Sequence, residues 1–396
     1  MKPENKMMNI LYRTKLSATL CAAGIGLMAA NQASAEVTFK VSGYGTLAAT
    51  MTDQDDIQFR NSLSQSEGAS NKLDLGVDSR LGLQGVLNFG SGFSITSQLL
   101  GQRRRTDGTP TSNEDFNVGF EWLFGQYSPT SNIDLRLGRV VLPSFMISDS
   151  RNVGYTQPWL RAPMSVYAQM PLTTLDGVQA LWRIPMGPAI MTIQPSYGES
   201  AFNISSSGLP LKATSHPVAS LNANLEFGDW LIRAGQVRGS SMLRNLVLSP
   251  FLAGSPLNHK MKDVFTSAGL QYDNGTAIVM AEWAQRKQND IDPSYFSGAP
   301  FNIGGKPLAE TRSWYAGGGW RFGKWLPMVV YGEAKNTLTS VKTHNMNFSV
   351  RYDLMNNVAL KAQVSRYDGR DTAAFVVPDA AKGTVNVFAV GVDFVF

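Results

Sequence analysis

The stretch Val385–Phe396, which reads VNVFAVGVDFVF, decides the fold of this chain. One face carries Phe388, Val390, Val392, Phe394 and Phe396, and the other carries Val387, Ala389, Gly391 and Asp393. A soluble edge strand with such an apolar face would promote aggregation unless another element covered it. In a closed membrane barrel, hydrocarbon covers the outer face. The stretch therefore predicts a lipid-facing β-strand.

The same two-residue period recurs along the chain. Between Leu73 and Phe89 the apolar residues share one parity and the polar residues the other, over a length that exceeds an ordinary soluble strand. Alternation also occurs at 37–41, 116–122, 133–137, 178–184, 221–227, 346–352 and 358–364. In 116–122 this pattern places Trp122 on the lipid face. The sequence predicts many long strands with one apolar face each.

The connections alternate between short turns and long polar loops. Short turns are predicted at 90–92, 127–132, 185–188, 228–229, 273–275, 323–326 and 356–357. Longer loops are predicted at 52–71, 101–115, 143–175, 198–216, 240–262, 286–311, 336–344 and 368–384. Seven turns and eight loops join sixteen strands, and an even number places both ends on the side of the short turns. We therefore predict an all-β fold, a transmembrane antiparallel β-barrel of about sixteen strands with short periplasmic turns and long extracellular loops.

Aromatic residues accompany the short turns. Trp230 and Trp325 lie in or beside such turns, and Tyr272 and Tyr352 close the strands next to them. Amphipathic rings are enriched where a barrel crosses the membrane–water interface. The sequence therefore predicts an aromatic girdle at the turn end.

The first 35 residues have the pattern of a secretory signal peptide. Lys2, Lys6, Arg13 and Lys15 precede an apolar stretch, which ends in Ala33-Ser34-Ala35. We expect cleavage after Ala35 and a barrel over residues 36–396. Without this leader the chain has 31 basic and 29 acidic residues, a net charge of +2, so its basic pI does not indicate nucleic acid binding. The only cysteine, Cys21, lies in the leader, which excludes a disulfide scaffold or a thiolate metal site from the remainder.

The parity of the strands predicts where the charges point. Inward positions are assigned to Lys40, Asp74, Asp78, Arg80, Arg136, Arg183, Glu226, Arg233, Glu282, Glu333, Lys335, Arg351, Asp353, Lys361 and Asp393. A dry core cannot hold so many ionised groups, because each would need a partner and complete hydrogen bonding. The alternative, a soluble sheet with a charged outer face, would need another layer to bury its apolar side. A water-filled lumen explains the charges better.

At this point the chain resembles the Gram-negative porin family over essentially all of residues 36–396. Ser79–Gly85 (SRLGLQG) is similar to the SRxGxxG segment of the second strand of general porins, and 89–93 (FGSGF) to the glycine turn after it. Leu137-Gly138-Arg139 with Pro143 resembles the strand before the third loop. The resemblance implies a homotrimer and an outer-membrane location. It also implies that the assembly machinery reads the terminal Phe396.

The loop between Pro143 and Asp176 is the candidate constriction, because in porins the third loop folds inward. Its prolines and aromatic residues suit a loop packed against a wall. We expect Asp149, Arg151 and Arg161 of this loop to face Lys40, Arg80 and Arg136 of the wall across a narrow pore. The alternative is that the loop residues form their own salt bridges on the outer surface. The usual acidic and aromatic constriction sequence of the family is missing here.

The sequence thus predicts an outer-membrane porin for passive diffusion of small hydrophilic solutes. The alternatives are a solute-specific channel of the same fold and, less favoured, a barrel enzyme. His216, His259 and His344 lie in or beside predicted loops without a nucleophile and an acid nearby, so no catalytic residues are expected. No cofactor or metal is expected either, since Asp53, Asp55 and Asp56 lack the spacing of a calcium loop. Expected partners are membrane lipid and lipopolysaccharide. Three roles stay open for Arg103-Arg104-Arg105: binding of lipopolysaccharide phosphates, a funnel for anions, or a solvated loop face.

Overall fold

The computed structural model describes residues 37–104, 116–206, 209–245, 259–290, 307–337, 340–371, 373–376 and 378–396. Sixteen antiparallel strands in these ranges form one closed barrel. Each strand pairs with its neighbours in the sequence, and β1 pairs with β16 to close the ring, with Thr46 opposite Asp393. The predicted fold is confirmed. Searched over the described residues, the chain has no helix of the length and apolarity needed to cross a membrane.

The strands are longest around the middle of the chain. Their bounds are β1 Thr38–Thr52, β2 Arg80–Gly90, β3 Phe93–Arg103, β4 Phe116–Thr130, β5 Ile133–Val141, β6 Thr174–Met186, β7 Ala189–Ser206, β8 Leu209–Phe227, β9 Trp230–Asn245, β10 His259–Asp273, β11 Ala277–Asp290, β12 Pro307–Trp320, β13 Trp325–Asn336, β14 Lys342–Met355, β15 Val358–Asp368 and β16 Thr384–Val395. All seven short turns lie at the predicted places. They define the turn end of the barrel, and the long loops define the loop end.

Two predicted boundaries are wrong. The polar segment 198–216 is predicted as a loop, but β7 and β8 continue through it as a paired hairpin, with Phe202 opposite Ala213. The apolar alternation that begins at Leu73 does not start a strand there, because β2 begins only at Arg80. Residues 73–79 instead belong to the first long loop, where Asp74 forms a bridge with Thr50 of β1. Alternation alone does not show where a strand leaves the sheet.

Aromatic side chains surround the turn end on the outer face. Neighbouring strands place them in contact, with ring centroids 4.4 Å apart for Phe93 and Tyr127, 4.8 Å for Trp230 and Tyr272, and 4.5 Å for Trp325 and Tyr352. Amphipathic rings of this kind occupy the boundary between hydrocarbon and headgroups. The turn end therefore has the predicted aromatic girdle.

The predicted orientation of Trp122 toward lipid is wrong, because a β-bulge in β4 reverses the face on which this residue lies. In β4 the pairing with β3 shifts by one residue, so that Gln98 is opposite Trp122 and Leu99 is opposite Phe120. Glu121 is the extra residue, and beyond it the parity of the strand is reversed. Trp122 consequently packs against the apolar cluster inside the barrel instead of facing lipid.

The predicted inward orientation of Glu333 and Lys335 is also wrong. Along β13, Leu326, Met328 and Val330 are buried and face the interior. Glu333 and Lys335 share the opposite parity, that of the exposed Val329 and Tyr331, and so face outward. The reason is that β13 is apolar on both faces, because a loop covers its inner side, so its alternation carries no information about direction.

The third long loop lies inside the barrel. We call residues 142–173 the inner loop; it contains a short 3-10 helix (Gly154–Thr156) and one short α-helix, α1 (Met164–Tyr167). Phe145, Trp159, Tyr167 and Met170 of this loop join one buried apolar cluster with inward residues of β10–β13. Burial of several aromatic side chains here stabilises the loop by a few kcal/mol each, about 1.5–3 for a large apolar side chain. The inner loop thus has a packed core of its own against one side of the wall.

Candidate functional site: the constriction

The first anchor of the inner loop is Arg233 of β9. Its side chain is 3% exposed, and its guanidinium donates to the carbonyl oxygens of Ser144, at 3.0 Å, and Pro143. Ser267 of β10 donates to the same Ser144 carbonyl at 2.7 Å. These bonds turn the chain inward directly after β5. The charge of Arg233 is therefore used to hold the loop.

A buried carboxylate forms the second anchor. Glu282 of β11 is 2% exposed and accepts a hydrogen bond from the backbone N–H of Met146 at 3.0 Å. It also accepts from the hydroxyls of Tyr315, at 2.9 Å, and Tyr167. Three donors to one buried carboxylate satisfy a group that would otherwise be costly to bury. This inward acid is thus part of the scaffold of the loop.

The third anchor is an ion pair that holds the far side of the loop. Lys361 of β15 lies 2.7 Å from the carboxylate of Asp393 of β16, and both side chains are almost fully buried. The ammonium also donates to the carbonyls of Gly154, at 2.7 Å, and Trp159, at 3.0 Å. An ammonium has three donors, and here each has an acceptor. The Asp393 carboxylate accepts in turn from the Thr46 hydroxyl.

Between these points the inner loop descends toward the turn end. Arg351 of β14 donates to the carbonyls of Tyr155 and Gln157 and lies 4.8 Å from the centroid of the Tyr155 ring. The Tyr155 hydroxyl reaches the carbonyl of Asn356, in the turn between β14 and β15, at 2.6 Å. The loop therefore crosses most of the barrel height along the β9–β16 side. The open lumen is left on the side of β2–β8.

Two further loops cover the inner loop from the loop end. Phe59 of the first long loop and Phe375 of the last are fully buried and in edge contact, 6.3 Å apart. Tyr367 of β15 and Met164 of the inner loop join the same apolar cluster. The loops at the two ends of the chain thus close one side of the mouth together.

Arg161 belongs to this cover and not to the water-facing surface for which it is predicted. It is 2% exposed, its Nε lies 3.1 Å from the Asp78 carboxylate, and its guanidinium stacks over Phe59 at 4.6 Å. A buried, paired guanidinium contributes little field to the lumen. Sequence parity could not show this, because it depends on a loop far away in the chain folding over the arginine.

Lys40 is placed away from the inner loop. It is exposed on β1 opposite Val86, near the turn end. It lies six residues from Thr46, where the loop contacts the strand, a distance of about 20 Å along an extended chain. The structure therefore places Lys40 at the mouth on the turn side and not at the constriction.

Arg136 of the wall and Asp149 of the inner loop interact electrostatically. Arg136 of β5 donates to the side-chain oxygens of Gln126 at 2.9 Å and Gln179 at 3.3 Å, and stacks over Phe124 at 4.9 Å. Asp149, on the exposed tip of the inner loop, interacts electrostatically with Arg136 and Arg233. The two glutamines orient Arg136 without neutralising it. A wall cation and a loop anion therefore interact here without forming a direct ion pair.

Arg80 and Arg151 lie together in a cavity of about 380 Å³ that opens above the inner loop. Arg104, Glu121 and Asn152 line it too. Arg151 interacts electrostatically with both Glu121 and Arg80, while Asn152 donates to Glu121 at 3.2 Å. The buried Nε of Arg80 has no hydrogen-bond partner among the described residues. The cavity thus holds three arginines without a salt-bridge partner within the described ranges, Arg80, Arg104 and Arg151, and one carboxylate without such a partner, Glu121.

Sequence reasoning did not select Glu121 as a site residue, although the alternation of 116–122 places it inward, because its contact with Asn152 depends on the fold of the inner loop. It also missed that Arg103 of the basic run is used in a salt bridge, 2.7 Å from Asp74. Arg105 lies outside the described residues. The acidic run that was considered for calcium is likewise used elsewhere, since Asp53 accepts from Asn386 and Asp56 pairs with Lys382. Within the described part of the chain, no group of three or more potential metal ligands occurs.

Comparisons with known proteins agree with this architecture. Residues 212–372 match the family model described as Gram-negative porin. No curated protein sequence matches the chain. Similar solved structures include OmpT of Vibrio cholerae (TM-score 0.59, 12% identity, covering 92% of this chain and 99% of that one) and an anion-selective porin from Comamonas acidovorans (0.57, 14%, 91% and 100%). The outer membrane channel DcaP of Acinetobacter baumannii is also similar (0.57, 12%, 92% and 99%). At these identities the likeness shows the fold.

Proposed function

We propose that this chain, whose residues 212–372 match a Gram-negative porin family model and whose barrel resembles solved porins over about nine-tenths of its length, is an outer-membrane channel for passive diffusion of small hydrophilic solutes. The observation that carries the proposal is the inner loop, which fills one side of the barrel and leaves charged side chains facing water on the other. Reconstitution into planar bilayers should give ohmic single-channel steps. A folded barrel without conductance would contradict the proposal.

An enzymatic role receives no support from the lumen. His216 lies 3.4 Å from Glu199, but both side chains are exposed on the outer wall. His344 stacks on Tyr331, which is also outside. No histidine whose side chain the structure describes therefore faces the lumen.

The charges at the constriction support a preference for anions. Arg80, Arg104 and Arg151 face the cavity with only Glu121 to balance them among the described residues there, because the carboxylates of Asp78 and Asp176 are paired with Arg161 and Arg139. Unpaired charges inside a low-dielectric wall concentrate ions of the opposite sign. One of the similar solved structures is that of an anion-selective porin. We therefore place the selectivity of this channel at Arg80 and Arg151, with Arg136 and Asp149 setting a transverse field below them.

The reversal potential in a salt gradient tests this assignment. The double substitution Arg80→Gln, Arg151→Gln should shift a potassium chloride reversal potential toward that of a non-selective pore. Lys324→Gln is the matched control, since it removes one cation from an exposed turn outside the lumen. If the double variant and the control showed the same anion preference, the assignment of selectivity to Arg80 and Arg151 would be refuted. The proposed channel function would not be affected.

The remaining proposals concern export and assembly. We propose that residues 1–35 are removed after Ala35, which an intact-mass measurement of the purified protein tests. The assembly machinery would read Phe396, so that deletion of this residue impairs assembly before it changes conductance.

A homotrimer is also proposed, because one of the similar structures is the trimer form of OmpT of Vibrio cholerae. An apolar groove of about 980 Å³ on the outer wall of β1 and β14–β16 offers a surface for such contact.

A further inference from the structure

Three cations stand side by side on the outer wall near the loop end. Arg312 of β12 is directly opposite Lys335 of β13, and Lys335 is directly opposite Lys342 of β14. All three side chains are exposed. Like charges directly opposite each other destabilise a strand pair. We call these three residues the cationic strip, and an anionic partner would relieve its internal repulsion.

The strip faces the membrane and not the lumen. Arg312 shares its face of β12 with the exposed Trp314, and Lys335 shares its face of β13 with Tyr331. The two rings are in contact, with centroids 5.6 Å apart. Apolar aromatic side chains directly beneath the strip show that this face of the barrel lies against hydrocarbon.

The height of the strip is fixed by the aromatic girdle at the other end. Trp325 and Tyr352 are paired in the girdle, and Lys335 and Lys342 each lie ten residues from them along the same two strands. Ten residues of a strand tilted by about 40° span about 26 Å along the membrane normal. The outward apolar band of such barrels is about 25 Å tall. The strip therefore lies at the headgroup level of the outer leaflet.

Neighbouring carboxylates neutralise only part of the strip. Glu310 lies 3.1 Å from Arg312, and Glu333 lies 2.6 Å from Lys342. Lys335 has no carboxylate within ion-pair distance in the described ranges. Three more exposed cations without such a partner in those ranges continue around the same outer wall: Arg238, Lys262 and Arg366. The outer wall of β9–β15 thus carries more exposed cations than paired carboxylates.

We propose that the cationic strip binds the phosphorylated headgroup of an outer-leaflet lipid, with a phosphate group between Lys335 and its two neighbours. Ammonium and guanidinium groups form charge-assisted hydrogen bonds to phosphate oxygens. A bound phosphate converts the repulsion along the strip into attraction. Free phosphate has the same oxygens but lacks the acyl chains that would pack on Trp314 and Tyr331 below, so the lipid is the ligand that matches both parts of the surface.

The test compares lipid binding by two variants of one β-hairpin. Lys335→Gln, Lys342→Gln removes two cations at the loop end, and Lys324→Gln removes one at the opposite end of β13. Native mass spectrometry of the purified barrel with added lipopolysaccharide gives the bound fraction. Each basic residue near a membrane surface contributes about 1 kcal/mol, or roughly fivefold, so the double variant should bind about 30-fold more weakly. Lys324→Gln should bind like the unaltered protein.

Two further arms identify the ligand. The proposal is overturned if lipopolysaccharide stripped of its phosphates binds the unaltered protein equally well, or if the double variant retains full binding. The proposal would also be overturned if millimolar inorganic phosphate displaced bound lipopolysaccharide as effectively as added lipid does. The site would then recognise the free ion. Lys335→Arg, Lys342→Arg should retain binding, and its failure with a folded barrel would count against phosphate recognition. The proposal would be overturned as well if the double variant changed the number of subunits in the assembly but not its lipid binding. The cationic strip would then be a contact between chains.

Discussion

Substitution of Lys361 by Met tests how the inner loop is held. The ammonium has three partners, the Asp393 carboxylate at 2.7 Å and the carbonyls of Gly154 and Trp159 at 2.7 and 3.0 Å. Removing one member of a buried ion pair costs about 3–5 kcal/mol, because the other charge remains buried without compensation. We expect this loss in the free energy of unfolding, measured by denaturant titration of the folded barrel. We also expect the inner loop to become sensitive to trypsin at Arg151 and the single-channel current to become noisy.

The double substitution Lys361→Met, Asp393→Leu separates the pair from the packing around it. Replacing a whole buried pair with apolar side chains is often neutral or stabilising. The double variant should therefore recover most of the unfolding free energy. The two loop carbonyls would still lack a donor, so trypsin sensitivity should persist. A loss below about 1 kcal/mol in the single variant, with a resistant loop, would refute the view that this pair anchors the loop.

Two further predictions concern the cover and the wall. Burial raises the pKa of the Asp371 carboxyl in the last loop. A carboxyl whose pKa is higher in the folded than in the unfolded protein stabilises the fold fully at pH values below its unfolded-state pKa. This contribution is lost as the pH rises through the folded-state pKa. The last loop should therefore exchange amide hydrogens faster at pH 7 than at pH 4, once the intrinsic effect of pH on exchange is corrected for, and Asp371→Asn should abolish the difference. In β2, a Cβ at Gly82 would overlap the Tyr44 ring, so Gly82→Ala should cost about 1–3 kcal/mol of unfolding free energy. Gly125→Ala, where no atom lies within 4 Å, should cost less than half of that.

The strand order and all seven turns could be predicted from sequence because they depend on local chemistry. Alternation sets one face of a strand toward hydrocarbon, and glycine, asparagine and aspartate mark tight turns. The closing strand is the clearest example, since its apolar face meets lipid as its pattern indicates. Its inward Asp393 pairs with Lys361 of the neighbouring strand, and that partner could not be identified from the local pattern.

The site was predicted less completely, because the inner loop covers part of the inner wall, so that an inward-facing residue there does not face water. Inward charges such as Arg233, Glu282 and Lys361 were expected to line water, but the loop covers them and uses them as anchors. For Glu333 the same cover made both faces of β13 apolar and reversed the assignment. Trp122 was assigned to the lipid face because one extra residue in β4 is invisible to a two-residue period. The first two errors arise from contacts with the inner loop and the third from a change in strand pairing, and a single sequence encodes neither locally.

Side chains of the barrel wall hold the inner loop mainly through hydrogen bonds to the peptide backbone of the loop. Arg233, Arg351 and Lys361 all donate to main-chain carbonyls of the loop, and Gln363 accepts from the main-chain N–H groups of Leu160 and Arg161. Every residue type provides these carbonyls, so the exposed side chains of the loop can change without loss of its anchors. Selection can therefore retune which solutes pass by substituting positions such as Asp149 or Arg151, while the channel keeps its shape.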